Sequence, residues 1–312
     1  MMTRSQLHSE RLKPKKNQSI WRRITKIVAL TLLVVLIASA AFTGYLYTKA
    51  QATITSAQDP NRTQIHVSAN DLSGKTALTT LVIGTATVKN ENLATTIVIA
   101  GVNAKQQTMT LLSVDADTYL QDKQTTLAQY YASAGLQATI DELSALFNVK
   151  ISKYVLADMN GLGDFAQAAG GIVVENDTHF IAKGWEFPTG SVLLKTAKQV
   201  NAFTTYLDND SEEGYLTRQQ AVGMELLTQV KKPATLLLHT SGLLGALGKH
   251  VKTNVSFADS QKILLNYHNA LKTQKKIHVH NSDLTLYDGT TVSIIPDQEQ
   301  KQSAKTFAKA LQ

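Results

Sequence analysis

The chain has 312 residues and a formal net charge of +7, with 43% hydrophobic residues and no cysteine. The lack of cysteine excludes a disulfide framework and a thiolate metal site. Eight basic residues and one acid precede Ile27, a surplus equal to the net charge, so the remainder is balanced. The basic character therefore belongs to a tail, and we expect no nucleic-acid-binding surface.

Residues 27–48 are uncharged and predict one transmembrane helix, because about 20 apolar residues cross a bilayer. Trp21, Tyr45 and Tyr47 flank this segment as interfacial aromatics do. The basic tail at residues 1–26 predicts a cytoplasmic N-terminus and an extracellular C-terminal domain, in a single-pass protein of the cell membrane. An exported domain without cysteine suits the outer face of a Gram-positive bacterium.

The alternative is a cleaved signal peptide. Its apolar region would span only roughly 7–15 residues, shorter than the segment here, although residues 38–41 (Ala-Ser-Ala-Ala) resemble a cleavage site. The length favours an uncleaved anchor.

Residues 49–79 are rich in Thr, Gln, Ser, Asn and Ala and predict an extracytoplasmic stalk. Residues 80–312 alternate between strand and helix patterns, which predicts a three-layer α/β/α domain. The predicted strands are Leu81–Ile83, Thr95–Val102, Thr108–Val114, Lys153–Leu156, Ile172–Val174 and Ile277–His280. The predicted helices are Ala138–Phe147, Gly161–Ala169, Lys195–Leu207, Leu216–Val230, Thr235–Leu247, Phe257–Lys272 and about Gln298–Leu311, with Ser256 as an N-cap. Asp288-Gly289 between two apolar runs predicts a hairpin.

Common catalytic motifs are missing: the sequence has no nucleophile elbow, no Walker loop and no HExxH zinc motif. Gly161 and Gly163 lack the third glycine of a dinucleotide fingerprint and predict a helix-start turn. His278 and His280 share a predicted strand face and could begin a metal site, but no third ligand is visible nearby. A solvated strand face is the favoured interpretation.

Arg218 falls on a helical stripe with Tyr215, Val222 and Leu226. An arginine on an apolar stripe needs an anionic partner, since an unpaired buried charge is costly. A neighbouring carboxylate would make it structural, whereas a phosphate held by the guanidinium would make it functional. Without further information the structural interpretation is favoured.

Several segments, taken in their order along the chain, resemble those of the LytR-CpsA-Psr (LCP) family of cell-envelope proteins. They are LVIG at 81–84, TTIVIAGVN from 95, LLSVDADTYL at 111–120, Tyr154-Val155, NGLGDFAQAAGGIVV at 160–174, RQQ at 218–220 and TNVS at 253–256. The resemblance covers roughly residues 80–257. It implies an α/β/α domain with an apolar cleft for a polyprenyl chain, and a Mg²⁺-dependent transfer of glycopolymers such as teichoic acid or capsule to peptidoglycan. Arginines that grip the pyrophosphate, and acids that help to hold Mg²⁺, are part of that implied site.

The family's charged positions are largely replaced in this sequence. Where the family has an aspartate and an arginine after LVIG, this chain has Ala86 and Val88. The Arg and Asp of its Gly-Arg-Ser-Asp-Thr segment fall on Leu93 and Thr95, and the arginine of its Pro-Arg-Asp segment falls on Ala116. Further expected arginines fall on about Thr204, Tyr206 and Tyr215. The retained family positions are Asp117, Glu212 (in place of an aspartate) and Arg218.

Three hypotheses follow. The favoured one is a catalytically degenerate LCP-like protein that binds a polyprenyl-phosphate lipid, a glycopolymer precursor or an envelope partner, with Arg218 and Lys89 as candidate phosphate ligands. The second is an active Mg²⁺-dependent phosphotransferase with a site rebuilt from Lys89, Asp115, Asp117, Glu212 and Arg218, where Asp115 and Asp117 are weak metal candidates. The third, transcriptional regulation through the basic tail, is least favoured because such a tail suits anionic headgroups.

Overall fold

A computed structural model describes residues 44–88, 90–206, 212–230 and 232–312. The chain divides into two compact units, Met1–Thr48 and Lys49–Gln312. The predicted tail and the predicted span up to residue 43 lie outside the described residues. Within the described part of the chain, no helix combines the length and the apolar character that crossing a membrane requires.

A six-stranded mixed sheet forms the centre of the second unit, in the order β11-β6-β1-β2-β3-β12. Its strands are β1 (Leu78–Val88), β2 (Glu91–Asn103), β3 (Thr108–Val114), β6 (Lys153–Asp158), β11 (Val251–Thr253) and β12 (Gln274–His278). β1 pairs in parallel with β6, and β3 with β12, while the other pairs are antiparallel. The predicted three-layer α/β/α domain is confirmed as far as a mixed α/β fold around a central mixed sheet.

The remaining elements join and cover this sheet. The helices are α1 (44–56, as far as it is described), α2 (Leu127–Phe147), α3 (Leu162–Ala168), α4 (Ala197–Thr204), α5 (Glu212–Val230), α6 (Pro233–His250), α7 (Phe257–Tyr267) and α8 (Asp297–Leu311). Four strand pairs lie outside the central sheet: β4 (Tyr119–Leu120) with β5 (Thr125–Thr126), β7 (Ile172–Asn176) with β10 (Gly190–Leu194), β8 (Phe180–Ala182) with β9 (Trp185–Phe187), and β13 (Ser282–Thr285) with β14 (Thr291–Ile294). The predicted hairpin at Asp288-Gly289 joins β13 to β14, and Gly289 has the positive φ of 84° that its turn requires.

One face of the sheet, which we call the covered face, packs against α2 and α8. Leu81, Ile99 and Leu112 come from neighbouring strands, occupy cross-strand positions on this face and are fully buried. They meet Ile140, Leu143 and Phe147 of α2 and Phe307 of α8 in one cluster. Each such side chain contributes roughly 1.5–3 kcal/mol by leaving water, so this face holds most of the sheet's stability.

The opposite face is covered only in part, and we call it the open face. α7 packs over one end of it, where Tyr267 meets Leu78 and Val102. Towards the middle of the sheet, Val82, Val98 and Val155 lie side by side in register and are only half-buried. An apolar strip of sheet is therefore accessible on the open face.

A second core, separate from the sheet, joins α3, α4 and α5 to the pairs β7–β10 and β8–β9. Phe180, Phe187 and Phe203 form its centre, with ring centroids 5.0–5.6 Å apart. The β8–β9 pair has only three residues in each strand. This pair was not predicted, because runs of three residues show no usable periodicity.

The segment at 49–79, predicted as a stalk, packs on the sheet. Gln58 forms a parallel bridge with Thr253 of β11, and Tyr154 donates a hydrogen bond of 2.8 Å from its hydroxyl to the buried carboxylate of Asp59. Burial, followed by the bond to Asp59, raises the pKa of Tyr154. The folded unit therefore includes this segment from Lys49 onwards.

Two glycines allow the close contacts that hold α3. A Cβ atom on Gly161 would lie 2.2 Å from the imidazole of His250, and one on Gly163 would lie 2.7 Å from the carbonyl oxygen of Ala197. The predicted helix-start turn at these glycines is present as a short 3₁₀ turn, Met159–Gly161, that leads into α3. Their role is close packing.

We expect Gly163→Ala to lower the free energy of unfolding by about 1–3 kcal/mol, because the added methyl overpacks against main-chain atoms. Gly245→Ala is the matched control, since Gly245 is an exposed position of α6 and nothing lies within 4 Å of the added atom. The control should be neutral or slightly stabilising. Denaturant unfolding of the full chain in detergent measures both, and equal stability of the two variants would contradict the packing role.

Candidate functional site

β1, β3 and β6 run in the same direction and end at one edge of the sheet, which we call the carboxyl edge. Asp158 ends β6, and Asp115 and Asp117 directly follow β3. The family motifs that resemble LCP active-site segments therefore meet at this edge. We take the carboxyl edge, with the apolar strip of the open face below it, as the candidate site.

In the hairpin of β1 and β2, uncharged residues occupy positions where the resemblance predicts charged ones. Ala86 pairs with Leu93 across the ladder, and both Ala86 and the neighbouring Ala94 are buried. Thr95 donates its hydroxyl to the carbonyl of Gly84 at 3.3 Å. Ala86, Leu93 and Thr95 are uncharged, so these three positions offer no charge to a ligand.

The carboxylates predicted as weak metal ligands, Asp115 and Asp117, are both exposed. The main-chain carbonyl oxygen of Asp115 accepts a hydrogen bond from the amide of Thr118 at 3.1 Å, in the turn that follows β3. Among the residues that the structure describes, no three His, Asp or Glu side chains are grouped as a metal site requires. Since Mg²⁺ is commonly held by one or two carboxylates and completed by water and substrate phosphates, Asp115 and Asp117 stay candidate ligands.

The side chains of two candidate residues lie outside the described part of the structure. Lys89 lies outside the described residues. Glu212 is the first residue of α5, but its side chain is not described. Their roles therefore stay predictions.

Arg218 lies in the second core, where it binds the end of α4. Its Nε donates to the carbonyl oxygen of Phe203 at 3.1 Å, and a terminal nitrogen donates to the carbonyl of Tyr206. The guanidinium carbon lies 5.2 Å from the ring centre of Phe180 and 5.3 Å from that of Tyr206. A cation at a helix C-terminus meets the negative end of the helix dipole. These contacts favour the structural interpretation of Arg218.

A polar cluster that the sequence did not predict lies at the carboxyl edge. Nε2 of His250 is 2.7 Å from the carboxylate of Asp164, and Nδ1 is 3.7 Å from that of Asp158. Lys249 binds the same oxygen of Asp164 at 2.6 Å. The cluster joins the ends of β6 and α6 to the first turn of α3. Gly161 was the available signal, since a glycine this close to a helix start often marks tight packing.

The carboxyl group of Asp164 has a lowered pKa. The hydrogen bonds from Lys249 and then from His250 favour its ionised form, and this outweighs partial burial. The ion pair is therefore part of the neutral-pH structure.

Polar side chains also line a depression of about 490 Å³ between the β1–β2 hairpin tip and the first turns of α2. Its lining residues are Asn90, Glu91, Asn92, Thr125, Gln129, Ala132 and Ser133. Amides and hydroxyls predominate, so the depression suits a neutral polar group better than a phosphate.

His278 and His280 lie at the end of β12 and beyond it. Both are exposed, and their ring centroids are 5.2 Å apart. No third ligand accompanies them among the described residues.

Sequence comparison decides the family to which this arrangement belongs. The model of the LytR_cpsA_psr family matches residues 41–310. The chain belongs to the LytR_cpsA_psr family. Its carboxyl edge is therefore the edge at which LCP motifs come together, as the resemblance of the individual segments predicts.

Two curated relatives are named polyisoprenyl-teichoic acid–peptidoglycan teichoic acid transferase TagU. The protein from Enterococcus faecalis is 29% identical over 202 residues, which cover 63% of this chain and 66% of that protein. That match spans slightly less than two thirds of the relative. The protein from Halalkalibacterium halodurans is 24% identical over 287 residues, which cover 87% and 93% of the two chains.

Solved structures share the fold. Streptococcus agalactiae protein gbs0355 superposes with a TM-score of 0.60 at 20% identity, covering 79% of this chain and 91% of that one. Bacillus subtilis TagV gives 0.58 at 20% identity, with 76% and 98% covered. TagT bound to LI-WTA gives 0.57 at 17% identity, with 82% and 96% covered. At these identities the structures establish the LCP fold.

We expect Arg218→Ala to reduce the free energy of unfolding by about 2–3 kcal/mol, because charged donors to main-chain carbonyls are lost. Arg218→Lys should recover less than half of this, since an ammonium cannot reproduce the planar donor array. Arg62→Ala is the control, because this exposed arginine also donates to one carbonyl, that of Asp59 at 3.2 Å. Unfolding curves measure all three. Full stability of Arg218→Ala would refute the structural role.

We expect Asp164→Asn to destabilise the protein at neutral pH. A carboxyl group with a lowered folded pKa adds stability that is complete above its ordinary value of 3.8, and that stability is lost as the pH falls through the lowered value. Wild type and variant should therefore converge in acid. Asp122→Asn, which removes an exposed pair with Lys123, should show a smaller difference. A stability gap that does not change with pH would argue against the ion pair.

Proposed function

We propose that this protein is a membrane-anchored LCP protein of the cell envelope that binds a polyprenyl-linked glycopolymer precursor without transferring it. One observation carries the proposal, namely how few arginines follow the basic tail and what they bind. After residue 26 the sequence contains two, Arg62 and Arg218. Arg62 donates to the carbonyl of Asp59, and Arg218 to the carbonyls of Phe203 and Tyr206. Both guanidinium groups thus have main-chain partners and structural duties.

The small number of arginines matters because of the way in which proteins catalyse phosphoryl transfer. The protein's contribution to such a reaction is mostly positioning and neutralising the charge on the phosphate oxygens. Loss of one arginine that contacts the transition state lowers the rate by about 10³–10⁵. Here buried Ala86 and half-buried Leu93 occupy positions where the family resemblance implies charges. These substitutions support a binding role over catalysis.

The apolar strip of the open face supports binding of a polyprenyl chain. Val82, Val98 and Val155 present half-buried methyl groups across three adjacent strands. Burial of apolar surface yields about 0.8 kcal/mol per CH₂ group, so a long prenyl chain gains affinity without a tight grip on its phosphate. The predicted anchor at 27–48 would keep the domain at the outer leaflet of the membrane, where such lipids reside.

The names of the TagU relatives support a second candidate, an active teichoic acid transferase. Its site would be rebuilt from Lys89, Asp115, Asp117, Glu212 and Arg218. The position of Arg218 in the second core, bonded to the end of α4, argues against its use on a phosphate. We therefore favour the non-catalytic function.

We expect full-length protein in detergent to bind undecaprenyl phosphate. Val98→Asp should weaken this binding by about tenfold or more, because a carboxylate replaces methyl groups that the bound lipid would bury. Val98→Thr keeps the shape of the strand and should have a smaller effect in the same direction. Val173→Asp is the control, since Val173 is exposed on β7, away from the central sheet. Fluorescence quenching or a lipid-exchange assay gives the affinities.

The same preparations test catalysis. With a polyprenyl-pyrophosphate-linked glycopolymer, peptidoglycan and Mg²⁺, we expect no release of lipid phosphate above the background without protein. Turnover that falls when Asp117→Asn is introduced, at unchanged stability, would overturn the proposal and establish the transferase. Equal lipid binding by wild type and Val98→Asp would instead reject the open face as the lipid site.

A further inference from the structure

His278 and His280 project together from the end of β12, which is an edge strand of the central sheet in the described part of the chain. Ile277 and Val279 alternate with them and join the hydrophobic cluster of the covered face, where Val279 is fully buried. Because successive side chains of a strand point to opposite faces, the two imidazoles stand on the open face. Both are exposed to solvent.

Main-chain contacts on two sides fix the segment that carries these histidines. His278 lies opposite Ser113 in the ladder with β3, and the amide of Val279 donates to the carbonyl oxygen of Ser113 at 3.1 Å. The amide of His280 donates to the carboxylate of Glu299 in α8 at 3.3 Å. Two ligands on a fixed strand lose little freedom when they bind an ion, so their geometry is largely prepared in advance.

The spacing of the two rings suits one metal ion between them. The ring centroids of His278 and His280 are 5.2 Å apart, with the ring planes at 83°. An ion bound to one nitrogen of each ring at about 2.0–2.1 Å lies about 3.2 Å from each ring centre, and a tetrahedral angle then separates the centres by about 5 Å. Since the χ2 torsion of histidine is broad and both rings are exposed, they can turn their nitrogens to the ion without movement of the strand.

The charges around the two rings admit a cation. Glu299 brings its carboxylate to the main chain of His280, and the exposed Asp115 directly follows β3, the strand that pairs with β12. Lys276 opposes them, because it stands on the same face one alternation earlier along β12. Its side chain is long and exposed, so the ammonium group is free to stay in water. Two carboxylates against one ammonium group favour a divalent cation at this place.

We propose that His278 and His280 together bind a divalent transition-metal ion of the class of Zn²⁺ and Cu²⁺. Imidazole nitrogens suit these ions, whereas Mg²⁺ prefers oxygen ligands, so the site differs in chemistry from a Mg²⁺ site built of carboxylates. The remaining coordination positions take water or an oxygen donor from outside the chain. The ion lies at the rim of the apolar strip, since Ser113 pairs with Val98 on one side and with His278 on the other. The proposal is independent of whether the open face binds a lipid.

The test uses the full chain in detergent at neutral pH, without a polyhistidine tag. We expect it to bind Zn²⁺, measured by competition with a fluorescent chelator, and to bind Cu²⁺ more tightly, as the Irving–Williams order requires. An excess of Mg²⁺ should not compete. His278→Ala, His280→Ala and the double variant should each lower the Zn²⁺ affinity by about tenfold or more, because the gain from holding two linked ligands is lost.

The matched control is the double variant His66→Ala/His179→Ala, which also removes two exposed imidazoles but from separate segments of the chain. Its Zn²⁺ affinity should stay within about twofold of the wild-type value. The electron paramagnetic resonance spectrum of bound Cu²⁺ should show two coordinated imidazole nitrogens in the wild type and one in His278→Ala or His280→Ala. Unfolding curves of the metal-free proteins should coincide, since the removed rings are exposed.

Three results would overturn the proposal. The first is an equal loss of Zn²⁺ affinity in the control and in the double variant of His278 and His280. The second is a wild-type affinity that neither single variant lowers. The third is a Cu²⁺ spectrum of the wild type with a single imidazole nitrogen, because the rings would then bind separately.

Discussion

The contact of His250 with Gly161 is the constraint on which the arrangement of the two cores depends. His250 ends α6, and the next residue begins β11, so its position fixes an edge strand of the central sheet. Its imidazole lies between the carboxylates of Asp158 at the end of β6 and Asp164 in α3. Any side chain on Gly161 would displace the ring. The second core thus attaches to the sheet at the carboxyl edge through one half-buried ionic cluster.

This attachment gives the scaffold motifs of the family a structural role in this chain. Gly161, Gly163 and Asp164 serve packing and pairing between α3, α4 and α6, and their loss would cost stability whatever the protein does. Ala86 and Leu93 bear no such duty: as a neutral cross-strand pair they fit the hairpin better than a buried carboxylate and guanidinium without a ligand.

Periodicity located the central sheet because its strands are long and buried. β3 has the bounds that alternation predicts, and the capping box at Ser256 starts α7 as predicted. The surroundings of Arg218 could not be predicted, since its partners are carbonyls that become free only where α4 ends. Likewise, His250 carries no local signal, because Asp158 and Asp164 approach it only through the folding of α6. Elements that a local sequence pattern specifies were therefore predictable. Contacts between residues far apart in the sequence, which form only when the chain folds back on itself, were not.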